Sequence, residues 1–117
     1  MIFIDSDFII DYLRGNGEII DIIDNYSDNI ATTEINVFEV MLGLHLKKNV
    51  SEKQIKAAKD FFNIIPVFFL NQGCGEKAAE IFSNLIKEGK GIDQNDCLIA
   101  AIILKNGHDK IVTSSVP

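Results

Sequence analysis

The apolar positions of this chain change period from segment to segment. Residues 1–4 (MIFI) are a short apolar, β-branched run that stops at Asp5, the pattern of a buried strand. Phe8, Ile9, Tyr12 and Leu13 recur at helical spacing behind Ser6 and Asp7, either of which caps a first helix ended by Gly15. Ile19, Ile20, Ile22 and Ile23 among acids give a second short helix, and residues 29–33 a second strand. Over residues 34–46, Ile35, Phe38, Leu42 and Leu46 mark the apolar stripe of a longer helix. Ser51 and Gln54 are spaced as a capping box for the next helix, which reaches Phe62. IIPVFFL, residues 64–70, is aromatic and β-branched and predicts a buried strand with Pro66 near its start or edge. Beyond a glycine turn at 73–75, Ala78, Ile81, Phe82 and Leu85 give a further amphipathic helix, broken by Gly89 and Gly91. The last helix lies within 91–106, GIDQNDCLIAAIILKN, and residues 110–113 form a final short strand. Alternation of this kind predicts an α/β fold. Its mostly parallel sheet of four to five short strands lies between helices joined by right-handed crossovers.

At 117 residues the chain has room for one core, so 1–117 reads as a single domain. No apolar run approaches the length of a membrane span, and Asp5 and Asp7 interrupt the N-terminal run before it resembles a signal peptide. Cys74 and Cys97 are too far apart for a zinc or disulfide pattern, and reduced thiols in the cytoplasm are the simplest account. Cys74, between two glycines, reads as an exposed thiol, and Cys97 as a small packed side chain. The net charge of −6 argues against a broad basic face for nucleic acid. It is compatible with an acidic pocket filled by cations, or with a basic protein partner.

The acids sharpen this picture. Asp93 and Asp96 open the last helix, where side-chain acceptors and the helix dipole both favour them. Yet Asp96 is spaced three, four and seven residues from Ile99, Ala100 and Ile103, which places it on the apolar stripe. Glu39 sits four residues after Ile35 and three before Leu42, on the stripe of its own helix. Asp5 ends the first strand, at the sheet edge where ligands bind in open parallel sheets. Arg14 is the only arginine, and Lys47 and Lys48 fall in an exposed helix end, so bases to pair with these acids are scarce. Hard oxygen ligands in this number suit Mg²⁺ or Mn²⁺. Spacing alone leaves two readings open: a metal site, or a set of caps and surface acids.

MIFIDSDFIIDYLRG, then INVFEVMLGL, then DCLIAAIILKNG followed by KIVTS, resemble the PIN domain family in order and spacing, and the VapC-type toxins within it. The resemblance covers nearly the whole chain. It implies a PIN-like three-layer sandwich and a Mg²⁺- or Mn²⁺-dependent endoribonuclease that hydrolyses RNA. It further implies a homodimer and a VapB-type antitoxin whose tail blocks the acidic groove. The family's acids map onto Asp5, Glu39 and Asp96; Asp93 stands where some relatives carry an additional acid, and Asp7 lies beside the site. Thr113 stands at the start of the Thr-x-Asn/Asp stretch with which the family follows its last strand. Under the enzyme reading it orients the attacking water, with Ser115 as a second candidate. The family then carries a further acid or polar ligand, where this chain has Ser114 and Ser115 before Pro117, so its last few residues are expected to be missing here.

That gap keeps a second function class open, a catalytically weak PIN-like module that binds protein. A receiver-type regulatory domain is a poorer match, since residues 64–70 hold no Asp to phosphorylate. His45 and His108 read as surface or satisfied side chains, and Phe61, Phe62, Phe68 and Phe69 as core. Lys53, Lys56 and Lys59 read as a solvated face. Arg14, near the strand edge, is the best single candidate for a phosphate or partner contact.

Overall fold

The structure, a computed structural model, describes residues 1–108 and 111–112. Among these, β1 (Ile2–Ile4), β2 (Ile30–Thr33), β3 (Val67–Phe68) and β4 (Ile111–Val112) form one sheet in the order β3-β2-β1-β4, with every pairing parallel. The connections are helical: α1 (Ser6–Leu13) and α2 (Gly17–Asn25), α3 (Glu34–His45) and α4 (Glu52–Ile64), α5 (Cys74–Lys87) and α6 (Gln94–Lys105). The first two crossovers step outward from β1 in one direction. The third returns across the sheet and sets β4 on the other side of β1, so strand order reverses there.

Period-two alternation along the central strands divides the core into two faces. Ile4 and Ile30 face Phe8 and Ile9 of α1, Ile23 of α2, Val40 of α3 and Phe61 of α4. Phe3 and Ala31 face the opposite way, onto Ile99 and Ile103 of α6. Layers of helix, sheet and helix result, as the alternation of elements predicts. The register that holds them pairs Phe3 with Ala31 on one side and with Ile111 on the other.

Local chemistry sets the element ends. The Asp5 carboxylate accepts from the Phe8 N–H at 3.0 Å and caps α1, so the cap is neither Ser6 nor Asp7 as the sequence pattern proposes. Those two already lie inside the first helical turn. The box at Ser51 and Gln54 forms as expected, with bonds of 3.1 and 3.0 Å. At the far end of α6, the His108 N–H reaches Ile103 O and the Gly107 N–H reaches Leu104 O, a paired closure that needs positive φ at Gly107. This turn lays the His108 ring 5.4 Å from that of Phe3.

Four further sequence expectations are corrected. Residues 64–70 do not form one buried strand: α4 runs on to Ile64, which is 74% exposed, and only Val67 and Phe68 pair. Ala58, Phe61 and Ile65 continue the helical spacing, and Pro66 forces the residue before it into extended backbone, which stops the helix. Phe69, read as core, is exposed. Cys74, read as exposed, is fully buried, and its thiol donates to Asn71 Oδ1. On α3 the stripe lies elsewhere: Asn36 and Val40 are buried, whereas Phe38, Leu42 and Leu46 are 56%, 44% and 74% exposed. The helix is apolar on most of its circumference, so spacing alone does not choose the side that α1, α4 and α6 cover.

Candidate metal centre at the carboxyl edge of the sheet

The reversal of strand order creates a crevice beyond the carboxyl ends of β1 and β4, the usual ligand position in open α/β sheets. A cleft of about 330 Å³ lies there. Its polar wall is Asp5, Ser6, Asp7, Asn36, Glu39 and Asp96, and its apolar floor is Ile99, Ala100, Ile103 and Ile111. No lysine or arginine lines it among the described residues.

Each acid arrives by a separate route. Asp5 follows β1 directly, and its cap bond commits one carboxylate oxygen to α1. Glu39 is in the second turn of α3, which starts where β2 ends, and it is half-buried. Asp96 is in the first turn of α6, one turn before Ile99 and Ala100, and it shares their side of the helix. The spacing argument for Asp96 therefore holds for direction. It does not hold for burial, because the residue lies past the end of the core and is exposed. Asp93 caps α6 by accepting from the Asn95 N–H at 2.8 Å and stands outside the cleft lining. Thr113 lies outside the described residues.

Burial and the crowding of like charge hold the Asp96 pKa above its ordinary value. Lost hydration at the cleft wall is the largest cause, followed by the charges of Asp93, Glu39, Asp5 and Asp7. The α6 dipole favours the charged form and does not cancel these effects. The sign for stability follows directly. A carboxyl whose folded pKa lies above its ordinary 3.8 contributes fully below that value and loses that contribution as pH rises through it. Asp96→Asn is therefore expected to raise thermal stability at pH 7 without divalent ions, by less than about 1 kcal/mol for so solvated a group. The gain is expected to vanish near pH 3, and a thermal midpoint equal to or below that of the unmutated chain at pH 7 would sink this reading.

The donor chemistry fits a hard divalent cation. Carboxylates without neighbouring bases repel one another until positive charge is placed between them. Among the described residues, no three Asp, Glu, His or Cys side chains are placed to hold a metal ion by themselves. Mg²⁺ is ordinarily held through one or two carboxylates with water completing its shell, so this spacing is compatible with it.

Sequence reasoning missed Ser6 and Asn36 as site residues. Ser6 Oγ donates to Glu39 Oε1 at 2.7 Å, and Asn36, buried, donates to Ser6. The one available signal is a lone Asn among apolar neighbours three residues before Glu39. Arg14 is moved out of the site. It ends α1 at the opposite end from Asp5 and lines a different groove, with Lys47, Lys53, Val40 and Leu44.

A parallel sheet in this strand order, between helices and with an acid-lined crevice at its carboxyl edge, defines a class of three-layer α/β domains. The PIN domain family model matches residues 2–114, and the chain belongs to that family. No curated protein matches it by sequence. The DNA-bound VapBC complex of Salmonella typhimurium contains a chain similar in fold, with a TM-score of 0.83 at 13% identity, covering 96% of both chains. VapBC-1 from nontypeable Haemophilus influenzae gives 0.74 at 24% identity, covering 97% of this chain and 84% of that one. VapC20 of Mycobacterium tuberculosis, described as a toxin that cleaves the sarcin–ricin loop, gives 0.73 at 14% identity, covering 98% and 90%. Among the described residues, no helix is long and apolar enough to cross a membrane.

Proposed function

We propose that this chain is a metal-dependent endoribonuclease, the toxin of a toxin–antitoxin pair acting in the cytoplasm. Asp5, Glu39 and Asp96 hold Mg²⁺ or Mn²⁺ directly or through water, and Asp93 supplements their charge. The observation that carries this reading is the convergence of acids from three separate elements on one cleft that no base lines among the described residues. Similarity to the loop-cleaving toxin from M. tuberculosis supports RNA as the substrate class.

The bound ion supplies a water of lowered pKa and a positive charge beside the scissile phosphate. The remaining work belongs to the chain. Asp5 and Glu39 each engage one carboxylate oxygen with α1 or its first residue, which fixes the direction of the other. Ile99, Ala100, Ile103 and Ile111 back the acids with a floor that sheds water and strengthens their field. Thr113 is assigned the orientation of the attacking water.

Partners follow from the same reading. The similar chains occur in VapBC complexes, which supports a VapB-type antitoxin. The outward row of Phe38, Leu42 and Leu46 on α3 supports a homodimer, since a second copy would cover it.

Titration calorimetry with Mn²⁺, run beside RNA cleavage assays on the same samples, tests the proposal. Binding together with metal-dependent cleavage is the expected result. The spread of the acids favours one other reading, an inactive PIN module that binds protein. Absence of Mn²⁺ binding would overturn the nuclease reading and leave that alternative in the lead.

A further inference from the structure

We infer that Thr33, Asn36 and Ser6 form a one-way hydrogen-bond relay that positions the Glu39 carboxylate for the cation. The inference rests on the metal-dependent reading above and extends the Ser6 contact back through Asn36 and Thr33, which that reading leaves unused.

The direction of the relay is fixed at its start. Thr33 ends β2 and caps α3, and its Oγ1 accepts the Asn36 backbone N–H at 3.2 Å. Its own hydroxyl proton then goes to Asn36 Oδ1 at 2.7 Å. With Oδ1 engaged, the amide nitrogen is turned to Ser6 and donates to Oγ at 3.1 Å. Ser6, having accepted, passes its proton to Glu39 Oε1 at 2.7 Å. Each hydroxyl has a single proton to pass on, and the Asn36 amide gives one of its two N–H donors to Ser6. Thr33 and Asn36 are 0% and 1% exposed, so water does not compete for these bonds.

Reversing the Asn36 amide would break the pattern. Oδ1 would then face Ser6 and draw its proton, and Glu39 Oε1 would lose its donor. In the observed arrangement one carboxylate oxygen is held by Ser6, and the second is left for the cleft shared with Asp5 and Asp96. A simple helix cap does not require this. Capping α3 uses the Thr33 hydroxyl and a backbone N–H, whereas the Asn36 side chain and Ser6 add nothing to it. A buried amide is costly to keep unless its bonds are made, and here its oxygen accepts from Thr33 while its nitrogen donates toward the acid through Ser6. Ser6 and Asn36 are therefore positioning residues that act through Glu39.

The test compares the full chain with Ser6→Ala and Ser6→Thr by Mn²⁺ titration calorimetry, thermal unfolding and the ¹⁵N spectrum of the Asn36 side-chain amide. Ser6→Ala is expected to weaken Mn²⁺ binding by about 10–100-fold, the usual effect of losing a group that orients a metal ligand. It should also move the Asn36 amide signals, with a change in thermal midpoint of no more than about 5 °C. Ser6→Thr keeps the hydroxyl and should restore both the affinity and the signals. Affinity within twofold of the unmutated chain in Ser6→Ala, or no restoration by Ser6→Thr, overturns the relay. Absence of Mn²⁺ binding in the unmutated chain overturns the metal reading and this assignment together. The two failures are distinct, because the relay alone fails only where the unmutated chain binds Mn²⁺.

Discussion

Glu39→Gln is expected to reduce RNA cleavage by more than about 100-fold, beyond the 10–100-fold typical of groups that only orient ligands. The substitution keeps the shape of the side chain, and the Gln carbonyl oxygen still accepts the Ser6 proton now given to Oε1 at 2.7 Å. Only the charge is lost, so the fold should tolerate it and the thermal midpoint should hold or rise. Asp5→Asn belongs in the same experiment. Asn caps helices about as well as Asp, so the α1 cap persists while the charge at the cleft disappears. Single-turnover cleavage at saturating Mn²⁺ separates chemistry from binding. Cleavage by Glu39→Gln within tenfold of the unmutated chain would remove Glu39 from the cation site.

The second large effect concerns stability. Phe3→Ala should lower it by about 3–5 kcal/mol, the range for emptying a buried aromatic site. Phe3 is 0% exposed in the central strand β1, and its ring lies 5.1 Å from Phe68 and 5.4 Å from His108. Removing it leaves a void against Ala31, Ile99 and Ile103 at the level where β1 pairs with both β2 and β4. Thermal unfolding followed by circular dichroism should show the midpoint falling by on the order of 10–20 °C. A loss below about 1 kcal/mol would mean that this face of the sheet is not a cooperative core.

Much of the scaffold is legible in the sequence. Residues 1–4 read as a strand because they form an uninterrupted β-branched run closed by an acid, and α5 read as a helix because Ala78, Ile81, Phe82 and Leu85 keep one period. Direction was legible for Asp96, whose spacing from Ile99 and Ala100 is what brings it to the cleft. Legibility failed where several patterns were superposed. In IIPVFFL the same apolar residues satisfy a strand and the last turn of a helix, and the steric demand of Pro66 decided the boundary. On α3, residues apolar on most sides left the packing of α1, α4 and α6 to select the inner face. Glu39 is singled out by a stripe that faces outward, yet it is half-buried, lines the cleft and accepts from Ser6. Ser6 and Asn36 escaped notice because a hydrogen-bond relay between separate elements has no period in sequence.

The double duty of Asp5 bears on how such chains drift over time. Its carboxylate closes the first turn of α1 whether or not a cation is ever bound. A lineage that had given up cleavage would still be penalised for exchanging this acid for an apolar residue, so selection for folding alone retains it. The same holds for Asp93, which closes the first turn of α6. Retention of those two acids is therefore weak testimony to an active enzyme. Glu39, in the body of a helix that has no need of its charge, is the position at which relaxed selection would leave its first trace.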